Sequence, residues 1–573
     1  MPGIIGCFTN QGTRKELIKG KNLLLNNVPL IEDSIYESRN IICTRVHLGV
    51  IGEYTSPQVL NNKKCWLEGE FYNTEQVRIA FKLDETTEAN IILEAMAKGV
   101  LREVLQKIDG FFCCVLHDEA TKSLIFITDR FGLKPLYLLR RNDEIVAWSS
   151  EVKGFFHFKA FEKRINPDNV RSFLLCGHYL NNTTPFDQIS LLGPSSILTV
   201  SCDTRQKTSL ENYWRWSMAQ PLDISFEEAT IQLGTLLNSA IHSRMNNPDK
   251  LSVSLSGGLD SRAILAAAKI KKQDIKTFTF GVHKSYEQKI AQKVAQVAQV
   301  ENYRFDLNDK NWFKKRVEGI WKTDGMLSLI HMHGSYYQES LSKVNPVCLH
   351  GIGGGILLGG RLISNSKQST VQSFYGELSE KIELESSFFH LSQQEIPHFI
   401  HNRLRRFTLQ GVLEQKYIEY RMPLFQNDLI SFLTSIPKKH LMNSRLFNAA
   451  LLQNFPYLFE GIPYSNIGYP INNKRKTFFK IERRLHSLAH QFGLASAYNI
   501  TDYSKWIKSI YSSIKSLLNS KDALYKNYIS ETDLLNLNYE NYITVGRLIT
   551  IEIYLQQIFN QTYLTTEDFI GEK

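Results

Sequence analysis

The sequence lacks the patterns that mark several classes of protein. No two of its eight cysteines are spaced as C-x-x-C, which argues against a zinc site. No run reaches the roughly 18 apolar residues that a membrane-spanning helix needs. The first residues show no basic stretch followed by an apolar one, and long basic tails and nucleic-acid motifs are also missing. We therefore expect a cytoplasmic protein that has no membrane span and binds no nucleic acid.

The composition is that of an ordinary globular chain. It has 573 residues, of which 43% are hydrophobic. Because single hydrophobic cores stop growing at roughly 250–300 residues, this length predicts two or more domains. The net charge of +10 is modest for the length and indicates a mildly basic, solvated surface. Such a surface would also help to attract an anionic substrate such as ATP.

The first half of the chain has the pattern of short strands. Runs rich in β-branched and aromatic residues are separated by turn-forming residues, at 41–50, 64–72, 110–116, 124–129 and 135–139. Between them, residues 88–104 have helical spacing of apolar side chains. Many strands with a few helices predict an α+β layered domain, which we place at residues 1–215.

The pattern changes near residue 220. Ser225 followed by Glu228 fits a capping box at the start of a helix. Strands and helices then alternate, with strands at 251–255, 276–280, 303–305 and 346–349 and helices at 262–270 and 287–300. After residue 375 the pattern is mostly helical, and it includes an amphipathic stretch at 545–559. Residues 216–573 are therefore predicted to form an α/β parallel-sheet domain with a helical C-terminal part.

The most specific motif is the string SGGLDS at residues 256–261, which follows a predicted strand and opens a predicted helix. Gly257 and Gly258 let the backbone N–H groups approach an anion, and the helix N-terminus adds positive charge. Ser256 and Ser261 supply hydroxyl groups. Asp260 does not face a phosphate favourably by itself, so it implies Mg²⁺ between the two. The alternative is that the glycines only shape a strand-turn-helix connection.

Both halves of the chain together resemble the asparagine synthetase family. The strings that resemble its glutaminase-like, Ntn-hydrolase-like domain are EGEFYN at 68–73, DGFF at 109–112, DRFGLKPLY at 129–137 and SSEVK at 149–153. Those that resemble its synthetase domain are SGGLDS at 256–261, TFG at 279–281, GIGGGILLGG at 351–360 and EYRMPL at 419–424. The resemblance implies an ATP-pyrophosphatase loop, not a Walker loop. Such a loop holds the β,γ-pyrophosphate of ATP while a carboxylate attacks the α-phosphate, which gives an acyl-adenylate and pyrophosphate.

The resemblance also assigns residues to the site. The predicted nucleotide-binding residues are Leu255, Ser256, Gly257, Gly258, Asp260, Ser261, Phe280, Gly281, Gly351 and Gly353. Asp260 is the predicted Mg²⁺ ligand. The predicted catalytic residues are Glu419 and Lys476, and we prefer Lys476 within the basic run at 474–476. The alternative for that run is a solvated basic loop.

The N-terminal half departs from the family at its glutaminase site. A working glutaminase of this type has a first mature residue Cys, whose thiolate attacks the glutamine amide. Here Pro2 stands at that place, and Glu68 replaces the Asn whose side chain stabilises the oxyanion. A carboxylate would repel the developing negative charge. The family's Arg-Gly-Pro-Asp string is also missing. We therefore expect a scaffold without glutaminase activity, in which Cys7 is a core residue of a strand.

The second half departs from the family at its metal site. Gly355 stands where the family usually has a second Mg²⁺-binding Asp, and Ile352 where it has a catalytic Glu or Tyr. Mg²⁺ keeps water and phosphate oxygens as ligands, so the loss of one carboxylate weakens binding without abolishing it. Asp324, Glu318 and Glu419 are candidates to replace the lost ligand. The alternative is a synthetase site that has decayed.

These departures lead to three functional hypotheses. The family includes β-lactam synthetases and lasso-peptide cyclases, which have disabled glutaminase domains and close a ring by forming an amide. Our first hypothesis is therefore an AMP-forming, ATP-dependent ligase that cyclises a peptide or small-molecule carboxylate substrate, with a peptide-processing protein as a partner. The first alternative is an asparagine synthetase homologue that uses ammonia. The second is a catalytically silent protein that binds a nucleotide or a partner.

We predict that the protein neither releases glutamate from glutamine nor reacts with a glutamine-analogue affinity label. Pro2 offers no thiol, and Glu68 opposes an oxyanion. The measurement is mass spectrometry after labelling, with a working glutaminase of the family as the positive control. Stoichiometric labelling of Cys7 would contradict the prediction, because it would mean that processing creates a new N-terminal nucleophile.

Overall fold

The computed structural model describes residues 3–25, 28–51, 55–203, 205–246, 251–271, 275–359, 378, 395–414, 416–472, 476–491, 499–529, 541–560 and 565–567. They form two antiparallel sheets, then a parallel sheet with helices around it. The α+β N-terminal fold and the parallel-sheet fold of the second half are both confirmed. None of the described helices is both long and apolar enough to cross a membrane.

The N-terminal domain contains two antiparallel sheets. The first has the order β11-β9-β10-β1-β4-β2, with β3 also paired to β4. Its strands are β1 (Gly3–Phe8), β2 (Ile31–Glu32), β3 (Tyr36–Glu37), β4 (Ile41–His47), β9 (Tyr137–Arg141), β10 (Glu144–Ser149) and β11 (Ile189–Leu191). The second sheet has the order β13-β12-β8-β7-β6-β5. Its strands are β5 (Gln58–Leu60), β6 (Lys63–Phe71), β7 (Gly110–Asp118), β8 (Ser123–Thr128), β12 (Ser196–Ser201) and β13 (Thr208–Asn212).

The two sheets pack face to face, and helices cover their outer faces. The helices are α1 (Arg14–Leu25), α2 (Thr74–Phe81), α3 (Glu88–Ala97), α4 (Leu101–Lys107) and α5 (Pro167–Cys176). Ile4 and Phe8 of β1 point into the core between the sheets, beside Trp66 of β6. Ile5 and Cys7 point the other way, towards α1. This alternation follows from the two-residue period of a strand and buries Cys7 as predicted.

The second domain is built on a parallel sheet in the order β16-β15-β14-β17-β18. Its strands are β14 (Leu251–Ser254), β15 (Lys276–Val282), β16 (Asn302–Leu307), β17 (Val347–Leu349) and β18 (Glu419–Arg421). The helices up to β18 are α6 (Phe226–Ser243), α7 (Leu259–Lys271), α8 (Tyr286–Val297), α9 (Arg316–Lys322), α10 (Gln338–Val344), α11 (Gly354–Leu357), α12 (Glu395–Phe399), a π-helical turn (Ile400–Leu404) and α13 (Arg405–Glu414).

Helices make up most of the chain after β18. They are α14 (Asn427–Ser435), α15 (Lys438–Leu441), α16 (Arg445–Asn454), α17 (Pro456–Phe459), α18 (Lys476–Gln491), α19 (Tyr503–Ser509), α20 (Tyr511–Asn519) and α21 (Tyr542–Phe559). The predicted capping box forms, since Ser225 and Glu228 each accept the other's backbone N–H. Two expectations differ from the structure. Residues 88–104 form two helices, because Gly99 has a positive φ, and α21 is buried on most sides, not on one face.

Ion pairs with almost no solvent exposure join the two domains. Arg421 of β18 pairs in a fork with Glu70 of β6, at 2.7 Å from Nε to Oε1 and 2.8 Å from Nη2 to Oε2. The Lys134 ammonium lies 2.8 Å from Glu419 and 3.5 Å from Glu68. Burial alone would lower the pKa of Lys134, but the two carboxylates outweigh it and raise that pKa. These contacts tie the second antiparallel sheet to the edge strand of the parallel sheet.

A second buried cluster crosses the same domain boundary. Glu151 and Lys153 come from the N-terminal domain, and Asp324 and Lys416 from the second domain; all four side chains are completely buried. Lys153 lies 3.1 Å from Asp324, and Lys416 lies 2.7 Å from Glu151. Burial alone would raise the pKa of Glu151, but the two ammonium groups outweigh it and lower that pKa to about 2. The two positive and two negative groups therefore neutralise each other inside the protein.

Replacing Arg421 by Met should lower the free energy of unfolding by about 3–5 kcal/mol, because it leaves the buried Glu70 carboxylate without its partner. The double variant Glu70→Gln/Arg421→Met should recover part of that loss. The measurement is denaturant unfolding followed by intrinsic fluorescence.

The matched control is Arg164→Met, which breaks a largely exposed pair with Asp187 at 3.0 Å. Such exposed pairs contribute roughly 0–1 kcal/mol. Equal losses in Arg421→Met and Arg164→Met would mean that the buried pair does not hold the domains together.

Candidate functional site

The SGGLDS loop lies at the carboxyl edge of the parallel sheet, between β14 and α7. Strand β14 is the central strand, and Thr279 of β15 supports its end by donating a hydrogen bond from Oγ1 to the Leu255 carbonyl oxygen at 2.9 Å. Ligands of open α/β sheets bind at this edge. The position and local structure predicted for the loop are therefore observed.

The glycine segment that follows β17 packs directly against Asp260. A Cβ atom at Gly354 would lie 2.2 Å from Asp260 Cγ, and one at Gly351 would lie 3.2 Å from Asp260 Cβ. At Gly355 the only such neighbour among the described residues is Asp260 Oδ2, at 4.0 Å. The structure therefore brings Gly351 and Asp260 together. It also places position 355 where a side-chain carboxylate would stand beside that of Asp260.

The backbone N–H groups of the loop are bonded inside the protein. Ser256 N–H donates to Ser261 Oγ at 3.0 Å, and Gly258 N–H donates to Ser256 Oγ at 3.1 Å. The Glu287 side chain packs against Gly257, since a Cβ atom there would lie 2.9 Å from Glu287 Cγ, and burial raises the pKa of the Glu287 carboxyl. A phosphate that binds to the N–H groups of Ser256 or Gly258 must exchange with the serine acceptors.

A buried arginine holds the outer side of the loop. Arg262 is completely buried and donates to the carbonyl oxygens of Gly257 at 3.3 Å and Pro463 at 2.9 Å. Ser465 N–H also donates to the Gly257 carbonyl oxygen, at 3.2 Å. Burial lowers the pKa of Arg262 to about 9. The segment around Pro463 is thereby fixed against the loop.

The predicted nucleotide-binding residues of β15 have other neighbours. The ring of Phe280 stacks on His333 and on Tyr337, each with a centroid separation of 5.4 Å. Gly281 lies under Ile500, since a Cβ atom there would be 2.8 Å from Ile500 Cβ. Nucleotide binding at these two positions stays a prediction.

The structure does not bring Glu419 to the loop. Glu419 is in register with Val347, and Val347 with Leu251, so Glu419 lies at the amino ends of the strands. At about 3.3 Å per residue, that is roughly 16 Å from Ser256. Lys476 begins α18, but its side chain lies outside the described residues, as do Lys474 and Arg475. Catalytic roles for Glu419 and Lys476 stay predictions.

The candidates for a replacement metal ligand are engaged elsewhere. Asp324 pairs with Lys153 in the buried interdomain cluster, and Glu318 accepts a hydrogen bond from Thr566 Oγ1 at 2.9 Å. No three His, Cys, Asp or Glu side chains of the described residues are grouped to hold a metal ion. The single carboxylate of Asp260 fits Mg²⁺ nonetheless, because this ion is commonly held by one or two carboxylates plus substrate phosphates and water.

Cys7 of the N-terminal domain is not placed as a nucleophile. Cys7 is completely buried beneath α1, and burial raises the pKa of its thiol to about 12. Glu68 is an ion-pair partner of Lys134. The aspartate of the DRFGLK string accepts backbone N–H groups from Phe131, Leu133 and Lys134. That turn aims Lys134 at the domain boundary.

Three residues of this arrangement were missed by the sequence analysis: Lys134, Arg262 and Glu287. Arg262 could have been noticed as a charged residue inside an otherwise apolar helical run. Glu287 lies in the first turn of the helix after the second strand of the sheet. Lys134 gave no signal beyond its place in the DRFGLK string, because its partner Glu419 is 285 residues away.

The fold and the loop define a two-domain protein with an amidotransferase-like domain and an ATP-pyrophosphatase-like domain. A model of the glutamine amidotransferase domain matches residues 1–214, and a model of asparagine synthase matches residues 232–410. The chain belongs to the asparagine synthetase family, a class of ATP-dependent carbon–nitrogen ligases.

Its similarity to individual members of the family is low but extends over most of the chain. A putative asparagine synthetase (glutamine-hydrolyzing) 1 of Methanocaldococcus jannaschii is 23% identical over 477 residues, which cover 81% of each chain. The asparagine synthetase (glutamine-hydrolyzing) of Homo sapiens is 25% identical over 441 residues, which cover 71% of this chain and 73% of the human one.

Replacing Gly355 by Asp should lower the Mg²⁺ concentration needed for half-maximal ATP–pyrophosphate exchange. The new carboxylate would share the ion with Asp260, and no atom of the described residues lies closer than 4.0 Å to its Cβ position. The measurement is a Mg²⁺ titration of the exchange rate beside thermal unfolding.

The matched control is Gly354→Asp, whose Cβ atom would overlap Asp260 and displace it. That variant should lose exchange. An unchanged Mg²⁺ requirement in Gly355→Asp would mean that the ion is not held at Asp260.

Proposed function

We propose that the protein is an AMP-forming, ATP-dependent amide ligase that adenylates a substrate carboxylate and takes its amine from a source other than glutamine. One observation supports the proposal most strongly. The chain combines an SGGLDS loop at the carboxyl edge of the parallel sheet with an N-terminal domain in which the Cys7 thiol is buried in the core. The membership in the asparagine synthetase family supports the ligase chemistry.

The chemistry starts with in-line attack of the substrate carboxylate on the α-phosphate of ATP. The bond to the pyrophosphate breaks, and an acyl-adenylate forms. The hydroxyl groups of Ser256 and Ser261, the N-terminus of α7 and the loop amides would bind the departing pyrophosphate. Asp260 would hold Mg²⁺, which screens the charge on the phosphate oxygens when bound. An amine then attacks the acyl carbon, AMP leaves, and the amide is complete.

The amine is the point on which two versions of the proposal differ. In the first, the substrate carries its own amine and is cyclised, as in peptide macrolactam formation, and a peptide-processing protein is a partner. The buried thiol and the Glu68–Lys134 pair support any source other than glutamine. In the second, free ammonia attacks an aspartyl-adenylate. The relatives named asparagine synthetase (glutamine-hydrolyzing) favour an aspartyl substrate at least as much as a peptide, and ammonia as the amine follows from our reading of the N-terminal domain.

A catalytically silent, nucleotide-binding protein is the remaining candidate. Its support is the absence of a second carboxylate at Gly355 and the presence of Ile352, both beside the loop. We also propose a cytoplasmic location, because all eight cysteines are free thiols and most are buried, as is usual in a reducing compartment.

The test is ATP–pyrophosphate exchange with candidate carboxylates, in the native protein and in Asp260→Asn. The variant keeps the shape of the side chain but removes its charge, and the loss of a metal contact commonly costs several kcal/mol at the transition state. Exchange should therefore fall roughly a hundredfold or more. Thermal unfolding should change little.

The matched control is Asp223→Asn, an exposed carboxylate in the linker, which should leave exchange unchanged. Products formed with ¹⁵N-labelled ammonium separate the two versions. A labelled amide identifies ammonia as the amine, and an unlabelled product lighter by one water identifies cyclisation. Undiminished exchange in Asp260→Asn would refute the metal role, and no exchange with any carboxylate would leave the silent protein as the better account.

A further inference from the structure

Helix α18 carries a row of exposed apolar side chains. Phe478, Ile481, Leu485 and Leu488 are 62%, 55%, 62% and 45% exposed. Their spacing of three, four and three residues places them on one stripe along the helix. Apolar residues in such a stripe usually face a core, so a stripe that faces solvent marks an interaction surface.

The opposite side of α18 attaches the helix to the second domain. Arg483 Nη1 donates to the Asn466 carbonyl oxygen at 3.4 Å, and the His486 ring lies 5.5 Å from the Tyr286 ring. Arg483 also fills the space above Gly468. Because α18 is held by this side, its apolar stripe is directed away from the protein body.

Basic residues border the stripe. Lys480 and Arg484 are exposed and lie one turn apart on the same flank, and Glu482 lies on the other. Four Lys or Arg residues and one Glu give the helix a net charge of +3. A basic polar face combined with Phe, Ile and Leu on the other face is the pattern of helices that lie in a membrane surface.

We propose that α18 docks onto an anionic phospholipid surface. The stripe enters the boundary between headgroups and acyl chains, and Lys480 and Arg484 contact lipid phosphates. This binding is peripheral, and it does not depend on the ligase function proposed above.

A second copy of the chain fits the stripe less well. Read as a coiled coil, the stripe supplies only two heptads, fewer than the three or four that a stable seam needs. In a parallel pair, the flanking contacts would be Thr477 with Glu482 and Arg484 with Ala489, neither of which is an ion pair. Opposite charge is offered by anionic lipid, not by another α18.

The test is co-sedimentation of the full chain with vesicles of phosphatidylcholine alone and of phosphatidylcholine mixed with phosphatidylglycerol. The native protein should bind the anionic vesicles more tightly. Ile481→Ser/Leu485→Ser should weaken that binding about a hundredfold, because each apolar side chain removed from lipid weakens it by on the order of tenfold. Lys480→Glu/Arg484→Glu should weaken binding to anionic vesicles and change binding to neutral vesicles little.

The matched control is Ile79→Ser/Ile231→Ser, which removes two exposed apolar side chains from α2 and α6 and should leave vesicle binding intact. Thermal unfolding checks that each variant folds. Equal binding by the native protein and the stripe variant, or no binding to anionic vesicles, would overturn the proposal. So would a native dimer that the stripe variant dissociates without any effect on lipid, since that outcome assigns the stripe to a second copy.

Discussion

Arg421 and Glu70, and Lys134 between Glu68 and Glu419, join the two domains at positions from which water is almost excluded. Moving such charges out of water is costly, and the cost is offset only while each charge keeps its partner. Separation of the domains would leave charges on both surfaces unpaired. The N-terminal domain is therefore a structural partner of the second domain. Glu68 has a clear role here as a counter-ion of Lys134.

The interdomain ion pairs are connected to the SGGLDS loop through the strands of the parallel sheet. Asp129 organises the turn that carries Lys134, and Lys134 pairs with Glu419 on the edge strand β18. Strand β18 is bonded to β17, and β17 to β14, which ends at Ser254, two residues before Ser256. Glu419 thus lies at the opposite end of the sheet from the loop. The EYRMPL string at 419–424 resembles a motif of the family's synthetase domain, but in this chain its Glu419 and Arg421 form ion pairs across the domain boundary.

Much of the fold could be predicted because its signals are local. The spacing of apolar residues predicted the strands of both domains, and the glycines of SGGLDS predicted the loop. One error was local, since Gly99 divides residues 88–104 into two helices. The other concerns contacts between distant residues. The stretch at 545–559 has a polar side, yet half-buried Arg547 of α21 donates to the Leu174 and Leu175 carbonyl oxygens, and buried Thr550 accepts from Leu329 N–H. No spacing rule shows such partners, and the same holds for Lys134, Arg262 and Glu287.

A glycine motif such as SGGLDS identifies the position of a site in the sequence more readily than it identifies the hydrogen bonds that the site makes to a ligand. Buried N–H groups must have acceptors, and here the hydroxyl groups of Ser261 and Ser256 accept from Ser256 N–H and Gly258 N–H. These oxygens accept from the same N–H groups that a phosphate would use. Phosphate binding therefore replaces one set of acceptors by another, and it gains less free energy than the number of N–H donors suggests. The carboxylate of Glu287 is also a like charge beside an incoming phosphate. A cation held by Asp260 would offset this repulsion, so the proposed affinity for ATP rests largely on that ion.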